Sequence, residues 1–148
     1  MPAKTFPNRI LVNLDKSAPA QKALEMAMQI ASATGSELHV VHVVHMTRYT
    51  YPQFMSDNQI DKYVEAAEGH LKELLSEGAD IPASNRHVRA GTTDNEVMRL
   101  AQELKAGLIV VGNRSADAIS RIVLGNAADS IVRHAHCPVL VVRDESYD

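Results

Sequence analysis

Short apolar runs alternate along this chain with longer stretches in which apolar residues recur every third or fourth position. A bounded apolar run suits a buried strand, and the longer spacing marks one face of a helix. Ile10 to Leu14 is the first run, and an Asp follows it. Ala20, Ala23, Leu24, Ala27, Ile30 and Ala31 then keep helical spacing as far as Gly35, a natural helix stop. Leu38 to Val44 predicts the second strand. An irregular segment, His45 to Ser56, comes next and carries Arg48, Tyr49, Tyr51, Pro52 and Phe54.

The second helix is predicted from Asp57. Ile60, Tyr63, Val64, Ala67, Leu71, Leu74 and Leu75 form its apolar stripe, and Gly78 its end. His87 to Ala90 predicts a third strand closed by Gly91. Thr93 to Glu96 has the spacing of a capping box and opens a third helix, with Val97, Leu100, Ala101 and Leu104 facing inward. Leu108 to Val111 is an unbroken apolar strand ending at Gly112. Leu124, Ala127, Ala128, Ile131 and Val132 mark the fourth helix, and Pro138 to Val142 the last strand.

Strands separated by helices are expected to be parallel, with right-handed crossovers and helices on both faces of the sheet. Strands covered on both faces read as continuous apolar runs, as Leu108–Val111 and Val139–Val142 do. With no repeat, low-complexity tract or linker, residues 1–148 read as one α/β domain with its core over about 8–143 and frayed ends.

Composition narrows the setting. A chain of 148 residues can bury a two-faced sheet without disulfides or metals. Its 45% hydrophobic and 22% charged residues are ordinary for a soluble protein, and a net charge of −3 provides no field for nucleic acid. The single Cys137 suits a reducing compartment. The opening MPAKTFPNR has no apolar leader region, and no apolar run is long enough to cross a membrane. A cytoplasmic protein is expected.

In open parallel sheets, ligands bind beyond the carboxyl ends of the strands. Asp15 and Ser17 follow the first strand, Val43 to Met46 close the second, Gly91 the third, and Gly112 to Ser115 the fourth. The helix opening near Gly125 offers unpaired amides to an anion. Asp15 and Ser17 read equally as caps of the first helix. His39, His42 and His45 are three apart, so they alternate between strand faces and do not converge on a metal. His134 and His136 suit the end of a helix. Cys137 reads as a small buried residue, and no structural metal is expected. The chain has neither a Gly-x-Ser-x-Gly elbow nor a His-Glu-x-x-His pair.

The segment GNRSADAISRIVLGN with AADSIVRHAHCPVLVVR, and the opening RILVNLDKSAPAQKAL, resemble the universal stress protein family over essentially the whole chain. The resemblance implies a doubly wound five-stranded parallel sheet in the order 3-2-1-4-5 with four helices, the adenine nucleotide alpha hydrolase-like fold. It also implies frequent dimers through the last strand, here Val139, Leu140, Val141 and Val142. Nucleotide-binding members of the family hold ATP, with Mg2+, on a Gly-x-x-Gly, nine-residue, Gly-Ser/Thr motif. Asp15 and Val43 correspond to positions that contact the nucleoside.

This chain keeps the motif spacing in Gly112-Asn113-Arg114-Ser115 and Gly125-Asn126. It places Ser115 at the second Gly and Asn126 at the Ser or Thr. Should position 115 require a positive φ, Ser there costs on the order of 1–3 kcal/mol. Asn126 retains a donor for a phosphate oxygen.

Three readings stay open. The first is a stress-response regulatory module that binds ATP or another adenine nucleotide. The second is a slow ATPase, although Asp15 and Asp117 are the only acids placed for catalysis. The third is a dimeric interaction protein that binds no nucleotide. The 45–56 segment reads as a surface connection, with a lid over the site as its alternative.

Overall fold

The computed structural model of the protein describes residues 5–46, 56–75, 80–113 and 124–143. Five strands, β1 (Arg9–Asn13), β2 (Glu37–His45), β3 (Arg86–Gly91), β4 (Leu108–Gly112) and β5 (Val139–Val142), alternate with four helices. These are α1 (Ala18–Thr34), α2 (Asp57–Leu74), α3 (Thr93–Leu104) and α4 (Asn126–His134). The strands form one sheet in the order β3-β2-β1-β4-β5, and every pairing is parallel.

Successive side chains on a strand point to opposite faces, so each central strand feeds two cores. Ile10, Val12, Val40 and Val110 pack with Ala20, Ala23, Leu24 and Ala27 of α1 and Leu71 of α2. Leu11, Val41, Ile109 and Val111 turn the other way, onto Val97 and Leu100 of α3 and Ala128 and Ile131 of α4. The Leu, Ile and Val side chains among them are the main source of stability, at about 1.5–3 kcal/mol for each one fully buried.

The helix ends follow from local chemistry. Ser17 has extended backbone and its side chain accepts from the Ala20 amide at 3.3 Å, which starts α1. Gly35 adopts the left-handed conformation that stops it. Ser56 and Gln59 form a reciprocal capping box at the start of α2.

Three expectations need correction. The capping box at Thr93–Glu96 does not form: Thr92 is the N-cap residue, and Thr93 is the first residue of α3. Glu96 is instead buried, pairs with Arg99 at 3.4 Å and packs against Gly91. Tyr63 is not part of the buried stripe of α2. That helix packs on the outer strands through Ala67 and Leu71, and Tyr63 is left 54% exposed. Val132 also points outward. Ala128 and Ile131 face the sheet, and one further residue rotates the side chain about 100° around the helix. The predicted stop of α2 at Gly78 lies outside the described residues.

Candidate functional site

The chain steps outward from β1 to β2 and β3 on one side, and from β4 to β5 on the other. The strand order therefore reverses between β1 and β4. The helix after β1 covers one face and the helix after β4 the other. Such a reversal of strand order is the usual ligand position in open parallel sheets.

The exit of β1 is tightly held. The Leu14 amide donates to the Val41 carbonyl at 2.8 Å, and His42 Nδ1 donates to the Leu14 carbonyl at 2.9 Å. The half-buried Asp15 then turns the chain: its Oδ1 accepts from the Ser17 amide at 2.7 Å, and its carbonyl accepts from Gln21 Nε2 at 3.4 Å. This is the helix-capping role foreseen for both residues, built by Asp15 in the turn and Ser17 at the cap. Val43 is buried near the carboxyl end of β2, in the core shared with α3 and α4. In the sequence, His42 stands out only as one of three regularly spaced histidines. No sequence signal shows that it fixes the β1 exit, because that contact joins residues 28 positions apart.

The exit of β4 is shaped by packing. A Cβ on Gly112 would lie 2.4 Å from the carbonyl carbon of Pro19 and 2.6 Å from the Ala20 amide nitrogen. Glycine at 112 thus lets the start of α1 press against the end of β4. Asn113 is only 4% exposed. Its amide donates to the Val142 carbonyl at 2.8 Å, and its Oδ1 accepts from the Gly125 amide at 2.8 Å. That side-chain bond joins the end of β4 to the start of α4.

Gly125 is the N-cap residue of α4 and has no side chain of its own to cap the helix. Its carbonyl accepts the first helical bond, from the Asp129 amide at 2.8 Å. Asn126, the first helical residue, is exposed. Gly112, Asn113 and Gly125 are therefore brought together as the motif spacing suggests. Arg114 and Ser115 lie outside the described residues, as do Asp117 and residues 47–55 of the candidate lid.

Other polar groups sit at the opposite end of the sheet. The buried His39 places Nε2 at 2.7 Å from Glu37 Oε1 and Nδ1 at 3.0 Å from His87 Nε2. The hydrogen bond from His39 is the main reason the Glu37 carboxyl lies below its ordinary value, and burial is the main reason the His87 imidazole does. His39 and His42 address different partners on different faces, as their spacing requires. Among the described residues, no group of three or more His, Cys, Asp or Glu is arranged to hold a metal ion. Half-buried Cys137 lines a groove of about 270 Å³ with Met98, Ile109 and Ala135, and burial pushes its thiol pKa up. A thiol held protonated is a poor nucleophile. No described helix is long and apolar enough to cross a membrane.

Comparison with known proteins bears on the whole chain. The sequence profile of the universal stress protein family matches residues 7–143. A Staphylococcus aureus protein described as a universal stress protein is 32% identical over 149 aligned residues, covering 95% of this chain and 86% of the relative. The structure of a universal stress protein from Lactobacillus plantarum superposes with a TM-score of 0.67 at 24% identity, over 93% of this chain and 98% of the other. A universal stress protein in complex with cAMP superposes with a TM-score of 0.58 at 26% identity, over 92% and 96%.

Proposed function

The chain belongs to the universal stress protein family, and from that premise we propose that it is a stress-response regulatory module that binds an adenine nucleotide at the reversal of strand order. The observation that carries the reading is the junction at the end of β4. Gly112 admits the start of α1, and Asn113 holds the start of α4, so two helix amino ends flank one strand end at the switch point. Helix amino ends attract phosphate through free amides and the positive end of the dipole. Asn113 Oδ1 takes the Gly125 amide, and among the described residues no N-cap side chain takes the amides that follow it.

In this reading, the amides beginning at Asn126 hold a phosphoryl group. Asp15 and Ser17 meet the ribose, and the main chain at Val43 meets the adenine edge. Arg114 and Ser115 complete the phosphate side. The ligand class is supported by the related structure with cAMP. ATP with Mg2+ is the triphosphate form that the motif spacing of 112–126 suggests. In this reading the module binds its ligand, and Asp15, whose Oδ1 accepts the Ser17 amide, also holds the turn after β1.

A two-fold dimer through β5 accompanies this reading. Val139, Leu140, Val141 and Val142 form an apolar strand that, among the described residues, pairs only with β4, and its first three residues are half-buried within the single chain. An apolar strand with an open edge invites a second strand.

To test the ligand class, the protein is incubated with an equimolar pool of nucleoside phosphates, desalted and denatured. The released material is identified by mass. Release of adenine nucleotides in preference to guanine and pyrimidine ones is expected. Release of nothing, or release without preference for a base, would overturn the reading.

A further inference from the structure

We propose that the contact between His39 and His87 is a pH-sensitive latch on β3, closed while the two rings share at most one added proton and released when both are charged. β3 lies at an edge of the sheet and, among the described residues, pairs only with β2. Val41 and Val43 pack in the core beneath α3, so His39, on the same side of β2, shares that face. Val88 belongs to the opposite core, so His87 and Arg89 of β3 also lie on the α3 face. The two rings thus tie β2 to β3 beside the main-chain ladder.

The hydrogens of the contact follow from its partners. Glu37 Oε1 lies 2.7 Å from His39 Nε2. A carboxylate only accepts, so His39 Nε2 carries a hydrogen, and in the neutral ring Nδ1 is the acceptor. That Nδ1 lies 3.0 Å from His87 Nε2, which therefore donates. The rings are stacked, with centroids 5.2 Å apart and planes 25° from parallel.

A first added proton fits on His87 Nδ1 and leaves one hydrogen between the rings. A second places hydrogens on both facing nitrogens. It also sets two like charges side by side, one of them on His39, which is only 4% exposed.

The surrounding charges do not absorb that change. Arg9 of β1 lies 3.6 Å from Glu37, and Arg89 pairs with Glu103 of α3. These two cations and two carboxylates balance while both rings are neutral. Elsewhere on α3, Arg99 pairs with Glu96 at 3.4 Å, and Lys105 at the helix end is exposed. The turn Ala83–Asn85 before β3 has no titratable side chain. Arg86 turns to the other face, where its Nε donates to the Ile81 carbonyl, and α1 and α2 cover that face. His42 is there too, and its bond to the Leu14 carbonyl survives protonation because Nδ1 still donates. His45 is exposed at the far end of β2. Each added proton therefore tips the group around the rings toward positive charge. In keeping with this, burial, then the charge of His39, then that of Arg89 hold the His87 imidazole below its ordinary value, with Glu103 opposing.

The ladder names the amides that report release. The Met46 amide donates to the Gly91 carbonyl at 2.8 Å, so in steps of two the Val44 and His42 amides also face β3. The Arg9 carbonyl accepts from Gly107 on the β4 side, so the Leu11 amide faces β4 and serves as the reference.

The test is an NMR titration of wild type and His87→Gln. Ring nitrogen shifts report tautomer and charge. Amide hydrogen exchange, corrected for the intrinsic rate at each pH, reports opening. In the neutral wild-type pair both rings are expected to carry their hydrogen on Nε2. Protection of His42 and Val44 relative to Leu11 is expected to fall about tenfold for each pH unit below about 6.5. In His87→Gln the introduced amide donates or accepts as His39 requires, and the ratio is expected to stay constant.

A constant ratio in wild type would overturn the inference, as would a neutral His39 with its hydrogen on Nδ1. An equal fall in His87→Gln would also overturn it, and would move the responsible proton to another group such as His42 or His45. The two wild-type readings decide the matter without the variant.

Discussion

Gly112 and His87 show how much single residues decide here. A methyl at 112 would meet the backbone of Pro19 and Ala20, which cannot rotate aside as a side-chain end can. Gly112→Ala is therefore expected to destabilise the fold by about 1–3 kcal/mol, the usual range for overpacking, read as a lower denaturation midpoint at unchanged slope. The motif spacing made Gly112 legible as a phosphate-loop glycine. Its contact with α1 was not legible, because residues far apart in sequence meet there only once the sheet forms. His87 is held below the ordinary imidazole value by burial, then by the nearby charges of His39 and Arg89, with Glu103 opposing. A folded state that resists protonation loses stability as pH falls through about 6.5, where the unfolded chain takes up the proton, toward the lower folded pKa. Glu37, whose carboxyl is lowered mainly by its bond with His39, adds a second loss further down, as pH falls through its own folded pKa. His87→Gln keeps a hydrogen-bonding partner for His39 without a titrating ring. Its unfolding free energy should fall less steeply than wild type as pH drops from about 7 to about 5.5. An equal slope in the two proteins would count against this assignment.

Among the elements, β5 and α3 carry opposite lessons. The run Val139–Val142 reads in sequence as a strand covered on both faces and, in the order 3-2-1-4-5, as an edge strand; among the described residues β5 pairs only with β4. An apolar strand with an open edge invites a second strand laid against it. The ladder shows which groups are free for it. The carbonyls of Pro138 and Val142 accept from Ile109 and Asn113 of the β4 side. Because successive residues of a strand direct their main-chain groups to opposite sides, Val139 and Val141 address the open edge. Val141→Pro removes an outward donor and spares the β4 ladder, a substitution that edge strands tolerate. Sedimentation is expected to show a dimer for wild type and a monomer of unchanged circular dichroism for the variant. A wild-type monomer at micromolar concentration would contradict the proposed pairing. For α3, Thr-x-x-Glu spacing suggested one cap and the helix uses the residue before it. Burial of Glu96 beside Gly91 outweighs the local cap, and such tertiary competition is invisible to a four-residue pattern. Ser17 is the reverse case, where local chemistry was sufficient. Ser17→Ala is expected to cost about 1 kcal/mol in thermal or denaturant unfolding.

For the molecule as a whole, alternation of strand and helix was written in the hydrophobic period, since each apolar run and each amphipathic stretch must find a covered face. The order β3-β2-β1-β4-β5 came from family resemblance rather than from that period, because alternation alone does not say where the chain reverses direction across the sheet. The reversal sets the switch point, and in the proposed function the helix starts beside it attract the anion. The central claim is that the switch point holds an adenine nucleotide against the start of α4. It is tested most directly by calorimetric titration of AMP into wild type and into Gly125→Val, which places a branched side chain at the N-cap of α4. The account predicts saturable binding at one site per chain in wild type and its loss in a variant of unchanged secondary structure and oligomeric state. Equal binding by the two proteins would contradict it, as would the absence of binding heat in folded wild type.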